Sequence, residues 1–144
     1  MAGTPWRANT AAVVTGTSAK TILQVVAAAN TRGRILRWGI SFDGISATAV
    51  PILVEFMRQT TAGTMSALTL VKGDDSLAES LTTTAQHTAT VEPTPGDVLY
   101  RTYVHPQGRY ESQFPELFGG SDRVAIRVTA GASVNCVAHM SGEE

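Results

Sequence analysis

The sequence predicts an all-β protein, an antiparallel β-sandwich of jelly-roll type with an extended N-terminal arm. Three observations carry that prediction. First, extended segments alternate apolar and polar residues. In RILRWGISFDG, Arg34 to Gly44, the side chains of Leu36, Trp38, Ile40 and Phe42 fall on one side, and those of Arg37, Gly39, Ser41 and Asp43 on the other. Such a strand buries one face, as each sheet of a sandwich does. Second, Gly- and Pro-rich turn signals separate these segments at spacings of roughly 8–15 residues, and about eight strands result. Third, no segment offers a helix of ten or more residues with a 3.6-residue period. Composition agrees: charged residues make up 16% of the 144, below the usual ~25%. Thr, Ala, Gly, Ser and Val fill the gap and favour strands and turns.

The elements follow in order. Residues 1–17 are small, polar and aperiodic and read as an extended arm. Trp6 in that arm either folds back on its own domain or anchors the arm on a neighbouring molecule, with Arg7 beside it. Residues 18–140 form the sandwich domain. Its first strand is Thr21–Ala28, apolar enough to be covered on both faces. The turn NTRG leads to Arg34–Phe42. Val50–Arg58 follows, with Ile52, Val54 and Phe56 on one face and Leu53, Glu55 and Met57 on the other; Pro51 suits a strand end. A weaker strand lies in Ala67–Val71. GDDS turns the chain, and SLAESL is expected to make one short helical turn. Thr82–Val91 is extended, EPTPGD is a turn, and Val98–Val104 alternates again. YESQFPELFGG, Tyr110–Gly120, reads as a loop with three aromatics. Arg123–Thr129 and Ser133–Met140 are expected to close the chain as a hairpin over AGA, leaving 141–144 as a solvated tail.

A chain of this length forms one domain and buries roughly 68–70% of its unfolded surface, a core that needs neither disulfide nor metal. The single cysteine, Cys136, lies in an alternating apolar run and reads as a small buried hydrophobe. The net charge is −1, and the arginines are spread along the chain, a poor match to a nucleic-acid binder. The N-terminal stretch has no long apolar h-region, and no apolar run approaches the ~20 residues of a membrane span. The expectation is no nucleic acid and no membrane as partner, with synthesis in the cytoplasm.

Chemistry-bearing patterns are weak. A cupin metal site needs a His-x-His pair with a Glu and a third His; here His87, His105 and His139 stand alone. Asp74 and Asp75 are adjacent in a turn, where such pairs face solvent. Glu55 lies mid-strand in an apolar segment, to be placed on the outer face or paired across the sheet with an Arg such as Arg37 or Arg127. There is no Gly-x-Ser-x-Gly elbow, and GTSAKT lacks the glycine spacing of a P-loop. The sequence thus nominates no catalytic residue, no metal ligand and no cofactor, and the expectation is a protein that is not an enzyme. The remaining candidates are contact residues: Trp6 and Arg7 of the arm, and Tyr110, Phe114 and Phe118 of the aromatic loop. Those three either cap the sandwich, form an interface, or line a sugar site with Glu111, Gln113 and Glu116 as polar partners.

In layout, the small-residue arm, TSAKTILQVVAAANTRGRILRWGISFDG, PILVEFMRQTTAGT and the closing DRVAIRVTAGASVNCVAHM resemble the jelly-roll decoration, or cement, proteins of tailed-bacteriophage capsids. The resemblance implies a structural virion protein, assembled in the host bacterial cytoplasm. Such a protein binds the major capsid protein on the shell exterior and stabilises the shell, as a homotrimer at three-fold positions. It gives residues 2–16 a bridging role. The alternative is a lectin-like or receptor-binding jelly-roll module of a phage fibre or baseplate, with Tyr110, Phe114 and Phe118 in an exposed groove.

Overall fold

Alternating side-chain chemistry and Gly/Pro turns produce strands throughout the structure, a computed structural model that describes residues 3–44, 50–76 and 78–144. The described residues hold thirteen strands and no helix. These are β1 Pro5–Asn9, β2 Val13–Val14, β3 Lys20–Val26, β4 Arg32–Phe42, β5 Ile52–Gln59, β6 Thr64–Leu68 and β7 Val71–Lys72. They continue as β8 Thr84–Val91, β9 Pro95–Val104, β10 Arg109–Ser112, β11 Glu116–Gly119, β12 Arg123–Thr129 and β13 Asn135–Glu143. One sheet runs β10-β4-β13-β1-β7, with β11 also on β4 and β2 also on β13; the other runs β6-β8-β3-β12-β5-β9. Every pairing is antiparallel. The two sheets pack face to face as an all-β sandwich.

The main core lies between them. Trp6, Ile35, Trp38, Ile40, Ala138 and Met140 of the first sheet meet Leu23, Val25, Val54, Phe56, Val124 and Ile126 of the second. The indole of Trp38 stacks on Phe56 with ring centroids 4.8 Å apart and planes 7° from parallel. The alternation of Arg34–Phe42 therefore does what its pattern demands, with one exception. A bulge opposite Ser141 and Gly142 interrupts the β4 ladder between Ile35 and Arg37. Leu36 is the extra residue, and it is 37% exposed rather than in the core.

The second sheet is not flat. β5 and β6 together pair with β9 and β8 as one long ribbon, from Ile52 opposite Val104 through Gln59 opposite Pro95 to Thr64 opposite Val91. The Thr60 amide donates to the Thr94 carbonyl between the two halves. The β5 half pairs with β12, and the β8 half pairs with β3. The ribbon consequently bends across the outer side of β3 and β12 and closes a second, polar interior. Within it the Gln24 amide donates to Gln59 at 2.6 Å, and Gln59 donates to the Thr21 hydroxyl at 2.7 Å. The Glu92 carboxylate accepts from the Thr21 amide and hydroxyl at 2.6 and 2.8 Å. These groups find partners, which removes most of the cost of taking them from water; Gln86 Oε1, at the strand position opposite Gln24, is buried without a hydrogen-bond partner among the described residues. Thr21–Ala28 is thus covered on both faces, as its apolar run predicts.

Five further expectations need correction. Residues 1–17 hold no free arm among the described residues: β1 is an internal strand of the first sheet, between β13 and β7. Its alternation puts Trp6 and Ala8 inside and Pro5, Arg7 and Asn9 outside. Trp6 lies against Gly142, where a Cβ would come within 2.6 Å of its ring, and edge-on to Phe118 at 6.1 Å. The segment 141–144 is not a solvated tail, since β13 runs to Glu143 and the Thr4 and Glu144 backbones bond each other. β12 and β13 are not a hairpin; they lie in opposite sheets. Tyr110–Gly120 holds two short strands, β10 and β11, both laid on β4. In SLAESL the described residues are not helical, and Leu77 lies outside the described residues.

These contacts set a stability contrast. Trp6→Ala removes an indole that is 1% exposed and is expected to cost about 3–5 kcal/mol in urea unfolding. Phe114→Ala, at a ring 80% exposed, is expected to stay within about 0.5 kcal/mol of wild type. Equal losses from the two would contradict the placement of Trp6 in the core.

Candidate functional site

The fold separates the residues that the sequence nominates. Trp6 is in the core, and Arg7, its neighbour, points out from the first sheet. Tyr110 on β10 is partly buried, 5.3 Å from Trp38 and stacked on Tyr100 of β9 at 5.5 Å and 18°. Burial, followed by a hydrogen bond with Tyr100, pushes the Tyr110 phenol up to about 12. Phe118 on β11 is 2% exposed against Trp6, while Phe114 stands in solvent. Tyr110, Phe114 and Phe118 therefore line no common groove. Among the described residues, the other exposed aromatics, in addition to Phe114, are Tyr100 and Tyr103 of β9, a strand the sequence describes only by its alternation.

The titratable side chains are similarly dispersed. The ring of His87 lies beside the Thr88 hydroxyl at 2.9 Å, and His105 accepts from the Gln107 amide. His139 lies over Gly39, which leaves room for its ring, and reaches Glu111 of β10 at 3.5 Å. Burial lowers its pKa, against the opposing pull of Glu111. Among the described residues no three His, Cys, Asp or Glu groups are set to hold a metal ion. Cys136 is buried, and that burial pushes its thiol up to about 12, far from the thiolate a nucleophile needs. The Asp74 carboxylate accepts from the Ser76 hydroxyl and amide and so holds its own turn.

Among the described residues, the one buried ionic cluster is centred on Glu55. The register places Arg127 of β12 and Arg101 of β9 directly opposite it on either side. Arg127 donates twice to Oε1, at 2.8 and 3.1 Å, and Arg101 donates to Oε2 at 2.9 Å. Burial by itself raises the Glu55 pKa, but the hydrogen bonds and charges of the two arginines outweigh it and leave the pKa lowered. The partnership with Arg127 follows from the alternation of the two strands. Arg37 lies in the other sheet, and the sequence misses Arg101 because the order of strands beside β5 is a long-range property. With both oxygens occupied, Glu55 is arranged to tie three strands together rather than to move a proton.

At the chain's end the Glu144 carboxylate accepts from the backbone amides and hydroxyls of Thr82 and Thr83. Burial opposes ionisation there too, and these bonds outweigh it to lower the pKa. No family model, curated protein or solved structure matches the chain.

Both carboxylates make the fold acid-sensitive. A depressed folded-state pKa gives stability that is complete above the unfolded value of 4.5 and lost as pH falls through the lower folded value. Glu55→Gln leaves Arg127 half-buried without its anion and is expected to cost about 3–5 kcal/mol at pH 7. Its stability should also fall less steeply than wild type below pH 5. Parallel wild-type and variant profiles there would show that Glu55 carries none of the acid sensitivity.

Proposed function

We propose that this chain is a structural virion protein of jelly-roll type that binds the outer surface of a tailed-phage capsid and stabilises the shell as a homotrimer. The observation that carries the reading is the strand order. Set aside the short β2 and β11 and the β6–β8 excursion, and β1-β13-β4-β10 faces β3-β12-β5-β9. In this order β1, β3, β4 and β5 alternate between the sheets, and β9, β10, β12 and β13 alternate again, the pattern of two Greek keys wound into a jelly roll. With Trp6 in the core, the contacts fall to the folded surface rather than to a free arm. A rigid block suits that task, because it loses little conformational entropy on docking, and repeated attachment across a lattice multiplies weak contacts.

The alternative, a lectin-like or receptor-binding module, relies on Tyr110, Phe114 and Phe118 sharing an exposed groove. The burial of Phe118 removes that support.

The test is co-sedimentation of the purified protein with expanded empty shells of the major capsid protein from the same genome, together with light scattering. The expected result is saturable binding and a solution mass three times the 15.2 kDa of one chain. A protein that stays in the supernatant at all concentrations contradicts the reading.

A further inference from the structure

The outer face of the first sheet is lopsided in charge. It carries Arg7 on β1, Arg32, Arg34 and Arg37 on β4, and Arg109 on β10, five of the chain's eleven Lys and Arg residues. The carboxylates that share this face are Asp43, Glu111 and Glu143, three of twelve acidic residues in a chain of net charge −1. These three are engaged: Glu143 by Arg34, Asp43 by the Asn135 amide, and Glu111 by the ring of His139. Arg7, Arg32, Arg37 and Arg109 have no hydrogen bond or ion pair with any described residue. Register fixes their arrangement. Arg7 and Arg37 flank Ser141 from either side, so two strand spacings, roughly 10 Å, separate their backbones. Arg109 lies beside Ser41, and Gly39 with the flat ring of His139 fills the ground between. Val137 and Val71 are exposed on the same sheet.

Four unpaired guanidiniums on one sheet face, with apolar side chains among them, are complementary to a carboxylate-bearing protein surface. We infer that this face is the docking surface and that its occupant is an acidic patch on the outer wall of the shell, an inference that rests on the function proposed above. A polyphosphate backbone fits less well, because Glu111 and Glu143 stand within the face and would oppose it.

The experiment measures binding to expanded shells, at several salt concentrations, for wild type, the double variant Arg7→Glu/Arg37→Glu, and Tyr103→Glu. The last adds an acid to the other sheet at a ring 71% exposed. Thermal unfolding of each confirms that the surface variants fold. The expected result is at least about a tenfold loss for the double variant, since reversed charges meet like charge. Salt should weaken wild type more than the double variant, and Tyr103→Glu should bind as wild type. Wild-type binding matched by the double variant would overturn this face as the docking surface and leave the proposed function standing. Failure of wild type itself to bind shells would overturn both. Retention of the wild type on a 20-mer DNA instead, lost in the double variant, would reassign the face to nucleic acid and overturn the acidic-protein inference.

Discussion

The stacking of Trp38 on Phe56 joins the two sheets, and most of the architecture follows from it. Trp38 sits on β4, which carries β13 on one side and β10 and β11 on the other. Phe56 sits on β5, between β12 and β9. A buried aromatic pair of this size contributes large apolar area and fixes the distance and angle between the layers. Tyr110 and Tyr100 extend the stack to the surface at the open side of the sandwich. At the other end of the first sheet, Trp6 and Phe118 fill the remaining space over Gly142 and Gly33, where any larger side chain would collide with an aromatic ring. The strand RILRWGISFDG is therefore a structural spine: its inner face builds the core and its outer face carries arginines.

The folded-over ribbon gives the second sheet a different kind of interior. The chain Gln24–Gln59–Thr21–Glu92 is hydrogen-bonded at every link. Its contribution is more to geometric specificity than to net stability, because buried hydrogen bonds largely replace bonds to water. On the open part of the same sheet, Glu55 with Arg101 and Arg127 ties β12, β5 and β9 in one row. Both features are charged or polar, yet both are satisfied within the chain and leave little for chemistry. The arginines on the outside of the first sheet are not so committed, and that contrast directs attention to this face.

The fold class was legible because strands write themselves locally. Apolar patterning and turn signals located β3, β4, β5, β8, β9, β12 and the first part of β13, and offered Arg127, alongside Arg37, as a cross-strand partner for Glu55. Pairing between distant strands was not legible. PWRAN is short and follows a Gly-Thr lead, so nothing local marks it as an inner strand; only Gly142, far along the chain, makes room for Trp6. RYES and ELFG are too short to alternate visibly, and both form because β4 offers a long edge. The bulge that exposes Leu36 and the fold of the β5–β6 ribbon across β3 are likewise properties of register between strands. The candidate contact residues fared accordingly: Arg7 and Phe114 are at the surface, while Trp6 and Phe118 are in the core.

On the function proposed above, this sandwich with its arginine-rich outer sheet acts through the surfaces it presents. The most direct measurement is a cryo-electron microscopy reconstruction of expanded shells with and without the purified protein. Attachment to the exterior predicts added density of sandwich size outside the shell at three-fold positions, with the outer face of the β10-β4-β13-β1-β7 sheet toward the shell wall. An outer surface identical in the two reconstructions would contradict it.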